Sequence, residues 1–510
     1  MPGDPRHDSL PRSGSGPANL AGELENLYGR INYERSQAWP RHFKLDSMRR
    51  LLAALGNPHQ RYRIVHVAGT KGKGSVCRMI AGALSRSGLR TGRYSSPHIE
   101  HISERIEMDG QQIGDRDLAD VLGEVRRAAE PLDGDHDSDL PPISFFEAIT
   151  ATALLWFARQ QVDFVVLEVG LGGRLDSTNV CHPVLSVITN ISLDHTRQLG
   201  NAVPGIAREK AGIVKPGIPV ISGAIDPLAA REIRETCAVN NSRLLEWKRD
   251  FDFQPGGFDR TTMSQSFRVE GRHPAPVGYS ADRAADHGPQ AESWELAELT
   301  MPQAGPHQLE NAAVAVAALQ VLASDHPGIQ AGAIRAALAE FELPGRCEVV
   351  CRHPLVVMDM AHNVASVEAL VATLRQLTGN RSVACRRLVF ASSEDKDLAG
   401  MLRILLPEFD EVVFTRFLLN PRATKPELLH EVAGGCVAGN AARPVITVCQ
   451  RPVEAWARME PAAGDMTCIA GSAFLIAELR QLVRQRCFGE AAGQAPREPA
   501  NPIEKSGRLG

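Results

Sequence analysis

His66-Val67-Ala68-Gly69-Thr70-Lys71-Gly72-Lys73-Gly74-Ser75 joins an apolar, β-branched run, Tyr62–Ala68, to a stretch of helical periodicity, Lys73–Ser87. Glycines at a strand-to-helix turn let backbone N–H groups curl around phosphate oxygens. The start of the helix adds positive potential. Lys73 stands where the lysine of a phosphate-binding loop reaches the β- and γ-phosphates. The strict GxxxxGK[ST] spacing is not met, because Ala68 occupies the position of its first glycine and Gly74 intervenes before Ser75. A strand before the loop and a helix after it nonetheless favour a phosphate ligand over a bare glycine-rich turn.

Outward from this loop the chain alternates apolar runs with amphipathic stretches. The runs are Tyr62–Ala68, Phe164–Val169, Val184–Thr189, Leu355–Asp359, Arg387–Ala391, Glu411–Phe414 and Met466–Ala470. Between them lie helical stretches such as Gln308–Leu322, Val364–Leu377 and Ser472–Arg484. This alternation predicts an α/β protein with parallel sheets covered on both faces. Glu342-Leu343-Pro344-Gly345-Arg346 follows a helix and opens a new strand–helix series, so a hinge is expected there. The expected organisation is a P-loop-type parallel-sheet ATP-binding domain over 20–343, then a smaller Rossmann-like α/β domain over 345–488. Residues 254–290, dense in Gly, Pro, Asp and Ser, read as a surface excursion of the first domain. Residues 1–18 and 490–510 read as disordered tails.

Composition narrows the function. A chain of 510 residues exceeds one hydrophobic core. A formal net charge of −4 argues against wholesale nucleic-acid or anionic-membrane binding. The ten cysteines are scattered, without CxxC pairs, as expected of free thiols in a reducing cytoplasm. The first residues have no apolar core of a signal peptide, and no run is long and apolar enough to span a bilayer.

Further segments sharpen the reading. They are Tyr94-Ser95-Ser96-Pro97-His98, Ser144-Phe145-Phe146-Glu147, Leu167-Glu168-Val169-Gly170-Leu171-Gly172-Gly173-Arg174-Leu175-Asp176 and Leu193-Asp194-His195-Thr196. Arg208-Glu209-Lys210-Ala211-Gly212-Ile213, Leu343-Pro344-Gly345-Arg346 and Asp359-Met360-Ala361-His362-Asn363 follow. The loop resembles that of the Mur ligase superfamily. The collinear set resembles the folylpolyglutamate synthase/dihydrofolate synthase family over roughly residues 40–480. The chain departs from that family at Lys71, where Asn is usual, and at Ser144, where Thr is common.

The resemblance implies an ATP-dependent ligase. It would join L-glutamate to a folate-type carboxylate, dihydropteroate or a tetrahydrofolate, through an acyl phosphate, with Mg2+ as cofactor. It assigns ATP to Gly69, Thr70, Lys71, Gly72, Lys73, Gly74, Ser75, Asn311, Arg346, Asp359 and His362. The metal falls to Ser96, Glu168 and His195. The pterin falls to Ser144, Phe146, Glu147, Leu175, Asp176 and Ser177. Lys73, His195, Lys210 and Arg346 are the implied catalytic groups, with Lys210 carbamylated. The implied partners are the small-molecule substrates alone, the protein acting as a cytoplasmic monomer. The rival readings are another Mur-type amide ligase and a nucleotide-hydrolysing switch. Ligases of peptidoglycan precursors carry a separate domain before the loop, whereas 65 residues precede His66 here. A switch would need no carboxylate acceptor.

Overall fold

The computed structural model describes residues 19–32, 45–135, 140–192, 202–272, 293–379, 382–436 and 444–488. The expected tails and the Leu193–Thr196 segment with His195 lie outside these residues. Eight strands build the first sheet: Arg63–Ala68 (β1), Thr91–Tyr94 (β2), Ile106–Met108 (β3), Gln111–Gln112 (β4), Phe164–Glu168 (β5), Leu185–Ile188 (β6), Val220–Ser222 (β7) and Leu244–Glu246 (β8). Their order is β4-β3-β2-β5-β1-β6-β7-β8. The six strands from β2 to β8 run parallel, and β3 and β4 pair antiparallel at one edge. β5 and β6 are buried along their whole length, and β1 beyond Arg63, which is why these segments read as continuous apolar runs. The helices Lys73–Arg86 and Pro306–Asp325 cover one face, and Phe145–Arg159 the other.

The second sheet comprises Glu348–Arg352 (β12), Leu355–Asp359 (β13), Arg386–Phe390 (β14), Glu411–Phe414 (β15), Val445–Val448 (β16) and Met466–Ala470 (β17), in the order β12-β13-β17-β14-β15-β16. All but β12 pair in parallel. The α/β fold class is therefore as expected, with runs and strands agreeing within a residue at each end.

Within the surface excursion expected over 254–290, the described residues up to 272 belong instead to a sheet. Phe251–Asp259 (β9), Ser264–Arg272 (β10) and Ser293–Met301 (β11) form a three-stranded antiparallel sheet; residues 273–292 lie outside those described. Phe267 and Val269 point into the core of the first domain while Arg268 stays exposed. Alternation at a period of two outweighs a Gly- and Pro-rich composition once one face has a core to meet.

Candidate active site

The loop leaves β1 at the carboxyl edge of the sheet, where open α/β sheets bind ligands. Two glycines allow its path. Gly69 has φ +151°, and a Cβ there would lie 1.8 Å from Thr189 Oγ1. Gly72 has φ +88°, and a Cβ there would lie 2.1 Å from Asn311 Oδ1. A side chain at either position would be strained by the positive φ and would press on Thr189 or Asn311. Thr189 donates to the Lys71 carbonyl at 2.7 Å, and Thr70 Oγ1 donates to the Ser192 carbonyl at 3.1 Å. Lys73 opens the helix, and its Nζ donates to the carbonyls of Gly69 and Thr70 at 3.1 and 3.3 Å. Gly74 and the buried Ser75 complete the first turn. Asn311, 8% exposed, lies against Gly72, and its amide donates to Gln308 at 3.2 Å, which holds it over the loop.

Glu168 ends β5 and is 4% exposed. Its carboxylate lies over the start of the Lys73 helix, with Oε2 3.6 Å from where a Cβ on Gly74 would stand. Burial raises its pKa, opposed by Lys73, Arg93, the Ser96 N–H and Arg346. Cations of the first domain, Lys73 and Arg93, and Arg346 of the second thus all favour its charged form. Ser96 and Glu168 are brought together as expected, and both offer hard oxygen donors of the kind magnesium takes. Among the described residues no group of three or more His, Cys, Asp or Glu could hold a metal ion.

Lys210, 4% exposed, ends the Val203–Ala211 helix and donates from Nζ to the Gly69 carbonyl at 2.8 Å. A Cβ on Gly173 would come within 2.9 Å of the Lys210 carbonyl. The Gly172-Gly173 turn is therefore what lets this helix approach the loop.

From the second domain, Gly345 takes φ +65° with Met360 against it. Asp359 closes β13 and accepts from the Cys347 N–H and the Ala361 N–H, both at 2.7 Å. It spends its carboxylate on fixing the turn that carries Arg346. His362 Nδ1 lies 2.8 Å from the Met360 carbonyl. Lys71 Nζ reaches Asn363 Oδ1 at 2.9 Å.

The expected pterin-side residues divide. Ser144 and Glu147 cap the Phe145–Arg159 helix reciprocally: Glu147 accepts from Ser144 Oγ at 2.7 Å, and Ser144 Oγ accepts from the Glu147 N–H at 3.3 Å. Burial, its leading influence, raises the Glu147 pKa. Asp176 accepts from the Leu171 N–H, the Thr178 N–H and Thr178 Oγ1, so it staples the Leu175-Asp176-Ser177 turn. Phe146 is half-buried against Gly170, where a Cβ would meet its ring at 2.4 Å. Its ring centroid is 6.2 Å from that of Tyr94.

Sequence reasoning missed Arg93, Asn363, Gln308 and Thr189. Arg93 precedes the Tyr94-Ser95-Ser96 segment directly, and a cation on an otherwise apolar strand was its available signal. Thr189 and Asn363 touch the loop only through long-range folding, and Gln308 acts on it through Asn311 of its own helix.

Loop, buried acid and second α/β domain together define a two-domain nucleotide-binding protein of the Mur ligase type. The Mur ligase middle domain matches residues 67–236, and the Mur ligase, glutamate ligase domain matches 345–473. The chain is 35% identical to folylpolyglutamate synthase of Lacticaseibacillus casei over 413 residues, covering 79% of this chain and 90% of that one. It is 31% identical to dihydrofolate synthase/folylpolyglutamate synthase of Mycobacterium tuberculosis, covering 91% and 93%. Among solved structures, the M. tuberculosis folylpolyglutamate synthase complexed with ADP superposes with a TM-score of 0.75 at 27% identity, covering 91% and 98%. The Escherichia coli protein in complex with DHPP and ADP gives 0.72 at 28%, covering 92% and 98%. The chain belongs to the folylpolyglutamate synthase/dihydrofolate synthase family.

Proposed function

We propose that this protein uses ATP to join L-glutamate to the carboxylate of a folate-type acceptor, through an acyl phosphate. The observation that carries the reading is the buried Glu168 carboxylate at the end of β5, standing over the start of the Lys73 helix where the glycine loop opens it. A carboxylate resists attack by an amine, because its charge repels the nucleophile and oxide is a poor leaving group. Transfer of the γ-phosphoryl group supplies the leaving group.

In this reading the loop amides from Gly69 to Ser75 cradle the phosphates, and Lys73 leaves its carbonyl acceptors for the β- and γ-oxygens. Asn311 holds the nucleotide side. Asp359 and His362 hold the turn that presents Arg346 to the transferring phosphoryl group. Ser96 and Glu168, with His195, would hold Mg2+, which neutralises charge on the phosphate oxygens. Phe146 offers an aromatic face to the pterin, beside the Leu175-Asp176-Ser177 turn. Closure of the two domains excludes water that would hydrolyse the acyl phosphate.

Lys210 acts as a carbamate. Its amine, buried beside the loop, would exchange a cation for an anionic oxygen group near the γ-phosphate. The enzyme works as a monomer in the cytoplasm; all ten cysteines are free, which supports a reducing compartment. The test is ADP release by purified protein with glutamate and either dihydropteroate or a reduced folate monoglutamate. Release that depends on acceptor and glutamate, with amide product, is expected. Equal ATP turnover with and without acceptor would favour a hydrolysing switch instead.

A further inference from the structure

Among the contacts between the domains that the catalytic reading leaves without a role is one made by Arg480. Arg480, on the Ala473–Phe488 helix of the second domain, forks onto Glu348 of β12. Its Nε meets Glu348 Oε2 at 3.0 Å and its Nη2 meets Oε1 at 3.0 Å. Its remaining nitrogen, Nη1, donates to Glu100 Oε1 at 2.9 Å, in the first domain. The three side chains are only 15%, 18% and 26% exposed for Arg480, Glu348 and Glu100, so water competes poorly for these bonds. Next to Glu100, Ile99 packs against an apolar cluster of the second domain that includes Leu475, Ile476 and Leu479 of the same helix. The second domain therefore grips the Ile99-Glu100 tip by an ionic and an apolar contact at once.

That tip transmits position. The N–H groups of Ile99, Glu100 and His101 all donate to the Glu104 carboxylate, at 2.7, 2.8 and 2.8 Å. Arg105 Nε donates to His98 Nδ1 at 2.8 Å, and the Ser95 N–H donates to the Arg105 carbonyl at 3.0 Å. Arg93 donates to Ser95 Oγ at 2.8 Å. A loop bonded at so many points moves as one piece. Its other end is Ser96, whose N–H faces Glu168.

We propose that Arg480 is a positioning residue for the ligase reaction: by docking on Glu100 it sets the Ser95–Glu104 loop, and through it Ser96 and Glu168, when the domains close. The inference rests on the reading above that this corner receives the phosphates and Mg2+.

The experiment compares Glu100→Gln, Arg480→Gln, Arg480→Lys and the Glu100→Gln/Arg480→Gln double variant in the full-length protein. Glu100→Gln leaves the Arg480–Glu348 pair intact, so the second domain keeps its fold. It is expected to lower kcat and raise the Mg2+ concentration for half-maximal rate by between about tenfold and a hundredfold. ATP binding without divalent ion should stay unchanged. In the ligand-free protein, hydrogen exchange should quicken at the Ile99–His101 amides and nowhere in the first sheet. The double variant should be no worse than Arg480→Gln, and Arg480→Lys should recover part of the rate. Wild-type kcat and Mg2+ dependence in Glu100→Gln would overturn the proposal. So would a loss accompanied by faster exchange throughout the second domain, which marks a merely structural bond. If the wild-type protein itself shows no acceptor-dependent ADP release, the ligase reading fails, while the exchange difference at Ile99–His101 still reports on the docking contact.

Discussion

Lys71 of the phosphate loop donates from Nζ to Asn363 Oδ1 at 2.9 Å, and the same oxygen accepts from the Ser366 N–H at 3.0 Å. One side-chain carbonyl thus caps the Val364–Thr378 helix and receives a cation from the other domain. The Gly69–Ser75 loop is thus bonded directly to the second domain. A hydrogen bond from a charged donor contributes about 1.5–3 kcal/mol, so Lys71→Met should lower kcat/KM for ATP by roughly tenfold or more. Steady-state kinetics with ATP as the varied substrate checks this. Unchanged kcat/KM would make the contact incidental.

Gly72→Ala tests the loop itself. The new methyl would sit 2.1 Å from Asn311 Oδ1, at a φ of +88°. The strained backbone alone costs on the order of 1–2 kcal/mol. Loss of ADP production is expected, with a lowered Tm by calorimetry. Full activity would show that Asn311 can withdraw without cost to the nucleotide.

Arg346→Ala should reduce turnover by roughly 10³ or more, since an arginine on a transferring phosphoryl group is typically worth that much. Circular dichroism should be unchanged. Near wild-type turnover would reduce Arg346 to a residue of the interdomain turn.

Lys210→Arg keeps the positive charge but cannot form a carbamate. Nearly complete loss of ligation is expected, with partial rescue of Lys210→Ala by short carboxylic acids. Full activity in Lys210→Arg, measured as amide product, would remove the carbamate from the mechanism.

His66 predicts a pH dependence of stability. It is wholly buried on β1, between Thr178 Oγ1 at 2.9 Å and Cys181 Sγ at 3.5 Å. Burial, reinforced by Lys215, lowers its pKa to about 3. Between that value and the unfolded value near 6.5 the unfolded chain binds a proton that the folded chain refuses. Stability from this group is complete above pH 6.5 and falls with acidification, by about 1.4 kcal/mol per unit. Urea unfolding at pH 7, 6 and 5 measures it. A His66→Gln variant should show a shallower acid limb; an identical slope would place the titration elsewhere.

The fold was legible wherever burial on both faces made a strand continuously apolar, as in Phe164–Glu168 and Met466–Ala470. It was illegible in β9 to β11, where the signal is alternation across a half-exposed sheet, as at Phe267 and Val269. The strand–turn–helix shape of the Gly69–Ser75 loop could be read because its cues are local: glycines, a lysine and a helix start within ten residues. Asp176 and Asp359 read as ligand contacts; the sequence did not reveal that their carboxylates also accept from neighbouring backbone amides. Arg480 gave no sign at all, since its partner Glu100 lies 380 positions away.

The three-stranded sheet shapes how the two halves can move. Its β10 and β11 feed Phe267, Val269, Leu299 and Met301 into the first domain's core, while Met263 and Phe258 join a core of the second. Arg352 of β12 donates to the Thr261 and Thr262 carbonyls at its hairpin, at 3.3 and 3.2 Å. A door hung only on the Leu343–Arg346 peptide could swing in any direction. This one bears on the hairpin as well, so any movement of the second domain must break or carry along the Arg352 bonds and the Met263 and Phe258 contacts. Heat should accordingly melt both halves in a single cooperative step, because neither can lose its interior without stripping a wall from the other.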